Sequence, residues 1–194
     1  CLIMAITING TGTITGISAG GLPDGVITSD DLASGAITSA GLPAGSILQV
    51  QSKSWNTHLY STSTSYVDIE SLAITPASST NKILIVVSLA VGKLDNQGFL
   101  GRLLKDDAVF TGGVASQSAH ENNVSLNIRN TIYSAHNYPI IHLDTAGGTN
   151  EITYKIQGRT SSTYAFSINR TVSNNDNVYS SPSASSITLI EVAA

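Results

Sequence analysis

Charge, cysteine and long apolar runs are all scarce in this chain, and each shortage narrows what the protein can be. Only 11% of its 194 residues are charged, against about 25% in an average globular protein. Ser, Thr, Asn and Gly take the place of the missing charges, a composition that suits strands joined by solvated turns. Nowhere do Ala, Leu, Glu and Lys recur with a period near 3.6, so a helical protein is excluded. No apolar run reaches the roughly 18 residues a membrane-spanning helix needs, which predicts no membrane partner. The net charge of −4 gives no basic footprint for nucleic acid. Cys1 is the only cysteine, so no intrachain disulfide can form. A terminal Cys resembles that of a mature bacterial lipoprotein, but Leu2-Ile3-Met4 is an odd sequel and Met4 reads as an ordinary start. No secretory signal peptide is visible, and without a secretory route the sequons at Asn9, Asn123 and Asn169 carry little weight.

What is present is a repeat. Leu22, Leu32 and Leu42 recur every ten residues, and so do Gly25, Gly35 and Gly45, and Ile27, Ile37 and Ile47. Each unit opens on a turn, with Pro23 or Pro43 in the second position of two of them and Gly in the fourth. A short extended piece follows, such as Val26-Ile27-Thr28. Ordering each residue of such a unit costs about 1–2 kcal/mol, and its single Leu and Ile return only about 1.5–3 kcal/mol each when buried. The unit cannot fold alone. Its apolar pair must meet copies from other chains or the surface of a partner. Three copies around one axis would bury Leu22, Ile27, Leu32, Ile37, Leu42 and Ile47 as successive layers of a fibre shaft. A flexible Gly/Ser tether is the plainer alternative, although a tether has no need of this register.

The organisation that follows is an N-terminal anchor over 1–20, a repeat shaft over 21–46 and a head over 47–194. In the anchor, Ile and Thr alternate on both sides of Asn9-Gly10, the pattern of a short hairpin. That hairpin is too small to stand alone. All nine Lys and Arg lie at or beyond Lys53, so the composition also changes at the head. Strands are predicted near 47–53, 57–60, 66–73, 82–91, 99–104, 124–129, 138–143, 151–158, 164–169 and 186–192, with a single helical turn as the alternative at 99–104. Lys82–Val91 (KILIVVSLAV) is almost continuously apolar and should be central, and the C-terminal strand should lie mid-sheet. An all-β antiparallel sandwich of jelly-roll type is the expected fold.

Residues 4–51 (MAITINGTGTITGISAGGLPDGVITSDDLASGAITSAGLPAGSILQVQ) resemble the opening of tail-fibre and virion-fibre proteins of marine tailed bacteriophages. ITPASSTNKILIVV, ITYKIQGRTSS and the final SSITLIEVAA resemble the C-terminal domains of such proteins. The resemblance implies a homotrimeric virion fibre, attached to other virion proteins through its N-terminal segment. It also implies a distal jelly-roll head of the tumour-necrosis-factor and complement type, and no catalytic residues. Two roles fit it: a tail fibre that adheres to the host surface and its glycans, or a capsid-attached head fibre or decoration protein. A surface filament subunit joined by donated strands is a third reading.

No catalytic motif or phosphate loop is present. His58, His120, His136 and His142 form no metal-binding spacing, although a trimer axis could hold a metal with one His from each chain. Neither a metal nor another cofactor is therefore expected. The Asn174-Asn175-Asp176-Asn177 cluster has one carboxylate, too little charge for a calcium loop. Three aromatic groupings are candidate sugar-receptor contacts: Trp55, His58 and Tyr60; Tyr133, His136 and Tyr138; and Tyr164 with Tyr179. Packing between protomers is the alternative role for each.

Overall fold

A computed structural model describes residues 42–93, 99–109, 135–160, 164–172 and 182–194. All of them belong to one unit, Leu42–Ala194. The hairpin expected near the N-terminus, the expected shaft positions Leu22, Ile27, Leu32 and Ile37, the strand expected over 124–129, and Tyr133 and Tyr179 lie outside the described residues.

The described residues form ten strands and no helix. In chain order they are β1 (Ile47–Trp55), β2 (Leu59–Ser61), β3 (Val67–Ile74), β4 (Lys82–Lys93), β5 (Phe99–Lys105), β6 (Ala108–Val109), β7 (Ala135–Thr145), β8 (Ile152–Thr160), β9 (Phe166–Ile168) and β10 (Ser185–Val192). They build an all-β antiparallel sandwich of jelly-roll type. The first sheet runs β1-β10-β4-β9-β2, with β7 paired along the other edge of β4. The second runs β3-β8-β5-β6. β4 is central, as its apolar run predicts: β7 pairs with it from Lys82 to Gly92, while β10 and β9 share its opposite edge. The C-terminal strand β10 lies between β1 and β4, also as expected. Residues 99–105 are strand rather than a helical turn.

The core forms where the alternating inward residues of the two sheets meet. From the first sheet come Ile83, Ile85, Val87 and Leu89 of β4 and Ile187 and Leu189 of β10. From the second come Ile152, Tyr154 and Ile156 of β8 and Phe99 and Leu103 of β5. Phe99 meets Phe166 edge to face at 5.0 Å between ring centroids. The Phe99 ring lies against Gly158, where an added Cβ would come within 2.5 Å of it. Glycine at this strand position makes room for the aromatic ring. Gly92 is equally confined, since a Cβ there would run into the backbone carbonyl of Arg170.

Two buried polar groups tie the ends of the sandwich. Glu191, fully buried on β10, accepts hydrogen bonds from Gln49 Nε2 (2.6 Å), Asn81 Nδ2 (2.6 Å) and Ala77 N (2.8 Å). It therefore pins the turn between β3 and β4 to β1. Asn169, fully buried with φ of 66°, donates from Nδ2 to the carbonyls of Trp55 (3.1 Å) and Thr57 (3.0 Å). Its Oδ1 accepts from Ser185 Oγ at 2.6 Å. The amide of the Asn169 sequon is thus committed to the interior, where no glycan could be attached.

Candidate functional site: the outer face of the first sheet

Along β10, every second residue points away from the core, and these outward residues are not uniformly polar. Val192, Ile190 and Thr188 lie half-buried on the outside. The register carries this character across the sheet. One cross-strand row is Val50, Ile190, Leu84 and Leu143, taken from β1, β10, β4 and β7 in turn. The next row on one side is Ser52, Thr188, Val86 and Ile141, and on the other side Ile47, Val192, Lys82 and Thr145. Ile47, Val50, Ile141 and Leu143 keep 63%, 53%, 66% and 56% of their surface exposed. The result is one wholly apolar row four strands wide, extended by Val86 and Ile141 on one side and by Ile47 and Val192 on the other. The only charge in these rows is Lys82 at the border, whose Nζ donates to Thr145 Oγ1 at 2.7 Å. Depletion of charge with an apolar centre is the composition of an interface core.

Ile47 belongs to this face and also ends the ten-residue Leu/Ile register. Leu42 is also exposed, at 37%. The backbone enters the sandwich here through Gly45 N and Ala193 N, which bond Ala193 O and Ser46 O, each at 2.9 Å. Gly45 adopts the left-handed conformation, with φ of 88°.

The aromatic candidates are placed differently from one another. Trp55 turns inward against the core. His58 Nε2 lies 2.9 Å from Ser167 Oγ, which is fully buried on β9. Burial, and then the nearby Arg170 charge, hold the His58 pKa below its ordinary value. Because Ser167 is out of solvent, this Ser–His contact presents no nucleophile to a substrate. Tyr60 is exposed at 52% on β2. Tyr138 packs against the core, with exposed His136 beside it at 6.5 Å between rings. Tyr164 is 44% exposed. Among the described residues, no three His, Cys, Asp or Glu side chains gather in a metal-binding group.

The apolar face was missed at the sequence level, although a signal for it exists. KILIVVSLAV, YPIIHL and ITLI are nearly continuous apolar runs in three neighbouring strands. A sheet with one wet face alternates instead. Neither a protein-family model nor a curated protein sequence matches the chain.

Proposed function

We propose that this chain is a non-enzymatic structural fibre protein of a bacteriophage virion, a homotrimer whose jelly-roll head is carried away from the particle and contacts the host cell. The observation that supports this reading is the charge-poor, largely aliphatic face across β1, β10, β4 and β7. Four of its side chains are more than half exposed in the single chain. Full burial of such a side chain returns about 1.5–3 kcal/mol; these four are already partly buried, so each adds roughly half of that when copies of the chain cover the face, a gain set against the entropy of association. Closed symmetry satisfies such a face without producing aggregates. Ile47 links the face to the repeat register, so the copies that cover the head are the same copies that would bury the Leu and Ile layers of a shaft.

Labelling the exposed C-terminal Ala194 in intact particles tests the virion assignment. A signal on tail fibres is the expected outcome. A signal over the capsid lattice would favour the head-fibre role, and absence from particles would contradict the proposal.

A further inference from the structure

The apolar row of the first sheet has two borders. β1 stands at one, with Ile47 and Val50, and β7 at the other, with Ile141 and Leu143. Among the described residues these are the four most exposed large hydrophobic side chains, two on each border. Ile190, Leu84 and Val86, which lie between them, are half-buried. Among the described residues, no strand flanks β1 or β7 on its far side. β1 and β7 run antiparallel to each other, because β1 is antiparallel to β10, β10 to β4 and β4 to β7.

A homotrimer constrains how such a face is covered. Threefold symmetry allows only heterologous contacts, in which one surface of a copy meets a different surface of the next. Three copies that turn this face to a common axis therefore bring β1 of each against β7 of its neighbour. The width of the face suits that arrangement. Sheets pack face to face about 10 Å apart, so each of three sheets around an axis lies about 5 Å from it. A triangle with that clearance has sides of about 17 Å. Four strands at a spacing of about 4.8 Å span about 14 Å between the outer two, and about 19 Å with their own width. With the strands along the axis, the row Val50–Ile190–Leu84–Leu143 of one copy continues into the same row of the next and closes as a ring. Ile190 and Leu84 then fill the centre, and Val50 meets Leu143 at each corner.

We infer that β1 of one copy packs against β7 of the next, with Val50 and Leu143 in contact, and that this heterologous contact closes the trimer. The inference rests on the homotrimer part of the proposed function and adds which two strands meet. Both sides of the contact match in chemistry. Val50 and Leu143 are aliphatic, and Ser52 and Ile141 in the next row bring no charge to either border. Neither border therefore repels the other, and the central row leaves no ionised group to be stripped of water.

Disulfide trapping on the intact chain tests it, in a Cys1→Ser background that removes the only native cysteine. Val50→Cys and Leu143→Cys are introduced together. Within one chain β10 and β4 separate β1 from β7, a span of about 14 Å. A disulfide reaches only about 7 Å between Cα atoms, so any bridge joins two copies. Complete oxidation should yield a covalent trimer, three times 20.1 kDa, on a denaturing gel without reductant. Val50→Cys alone and Leu143→Cys alone should remain single chains, because equivalent residues stand at different corners. Ser52→Cys with Ile141→Cys traps the next row, should the first pair impair folding. Bridging that ends at a covalent dimer, or bridging by a single cysteine, would overturn the inference in favour of twofold pairing. Trimer mass by light scattering with neither pair linked would overturn it too, while leaving the homotrimer reading intact. A parent chain of monomer mass would overturn both.

Discussion

The outer faces of the two sheets rest on the same core and differ in almost every other respect. On the first sheet, the row Val50–Ile190–Leu84–Leu143 places four aliphatic side chains side by side with no charge among them. On the second, the row Asp68–Gln157–Arg102 joins an acid, an amide and a guanidinium by hydrogen bonds. The Gln157 bond is the foremost cause holding the Asp68 carboxyl below its usual range, with help from Lys155 and Arg102 against the opposing effect of burial. Both faces have the same strand geometry, so backbone conformation does not decide what each one meets. The choice lies in every second residue. Charge runs through the central row of one face and is missing from the central row of the other.

The largest expected effect comes from breaking what the two faces share. Gly92→Ala drives a methyl group into the Arg170 carbonyl, a backbone atom with no flexible side chain to yield. Overpacking of this kind costs about 1–3 kcal/mol and more where backbone must move. Denaturant unfolding of the intact chain should show a loss at the upper end of that range, and both faces should lose order together. A loss confined to one face would mean that the sheets do not depend on a common core.

A smaller effect separates the sheets by acid. Burial alone would raise the pKa of Glu191, but hydrogen bonds from Asn81, Gln49, Ala77 and Ser78 outweigh it and leave the pKa below the ordinary 4.5. The sign follows from linkage: a carboxyl with a depressed folded-state pKa adds stability above its unfolded value and forfeits it as the pH falls through the folded value. Unfolding measured from pH 6 downward, on the order of two units, should show stability falling below about pH 4.5. Glu191→Gln should be less stable near neutrality by roughly 1–3 kcal/mol, the cost of a broken buried hydrogen-bond set. It should also lack the Glu191 share of the acid dependence. An identical pH profile in both proteins would remove Glu191 from the account.

The strands were legible because their periods were clear. Ile152–Thr160 alternates buried and half-buried without a break, and KILIVVSLAV could only be central. β6 escaped notice because two residues carry no period. The ten-residue repeat suggested self-association, but it pointed to the Leu and Ile layers and not to the sheet. The sheet face becomes visible only when Leu84, Leu143, Val50 and Ile190 fall into one row, and that requires knowing the register. The stacking of Arg102 and Arg159 on Tyr66, at 3.8 and 5.0 Å from its ring centroid, was unreadable for the same reason. The three residues are spread along the chain, and only the β5–β8 pairing brings the two arginines to one ring. The aromatic groupings chosen by nearness in sequence fared differently, since Trp55 and Tyr138 turned inward while Tyr60 and Tyr164 remained exposed.

The central claim is that copies of this chain cover the apolar face of the first sheet. Light scattering on the intact chain at micromolar concentration, with Leu143→Glu alongside it, tests that claim most directly. Leu143 is 56% exposed, so a glutamate there is harmless to a monomer but costs several kcal/mol where the face is buried between copies. The account predicts a mass near three times 20.1 kDa for the parent chain and a shift toward 20.1 kDa for Leu143→Glu, with an unchanged β-sheet circular dichroism spectrum. A parent chain that stays at 20.1 kDa, or a Leu143→Glu variant that keeps the full trimer mass, would contradict it.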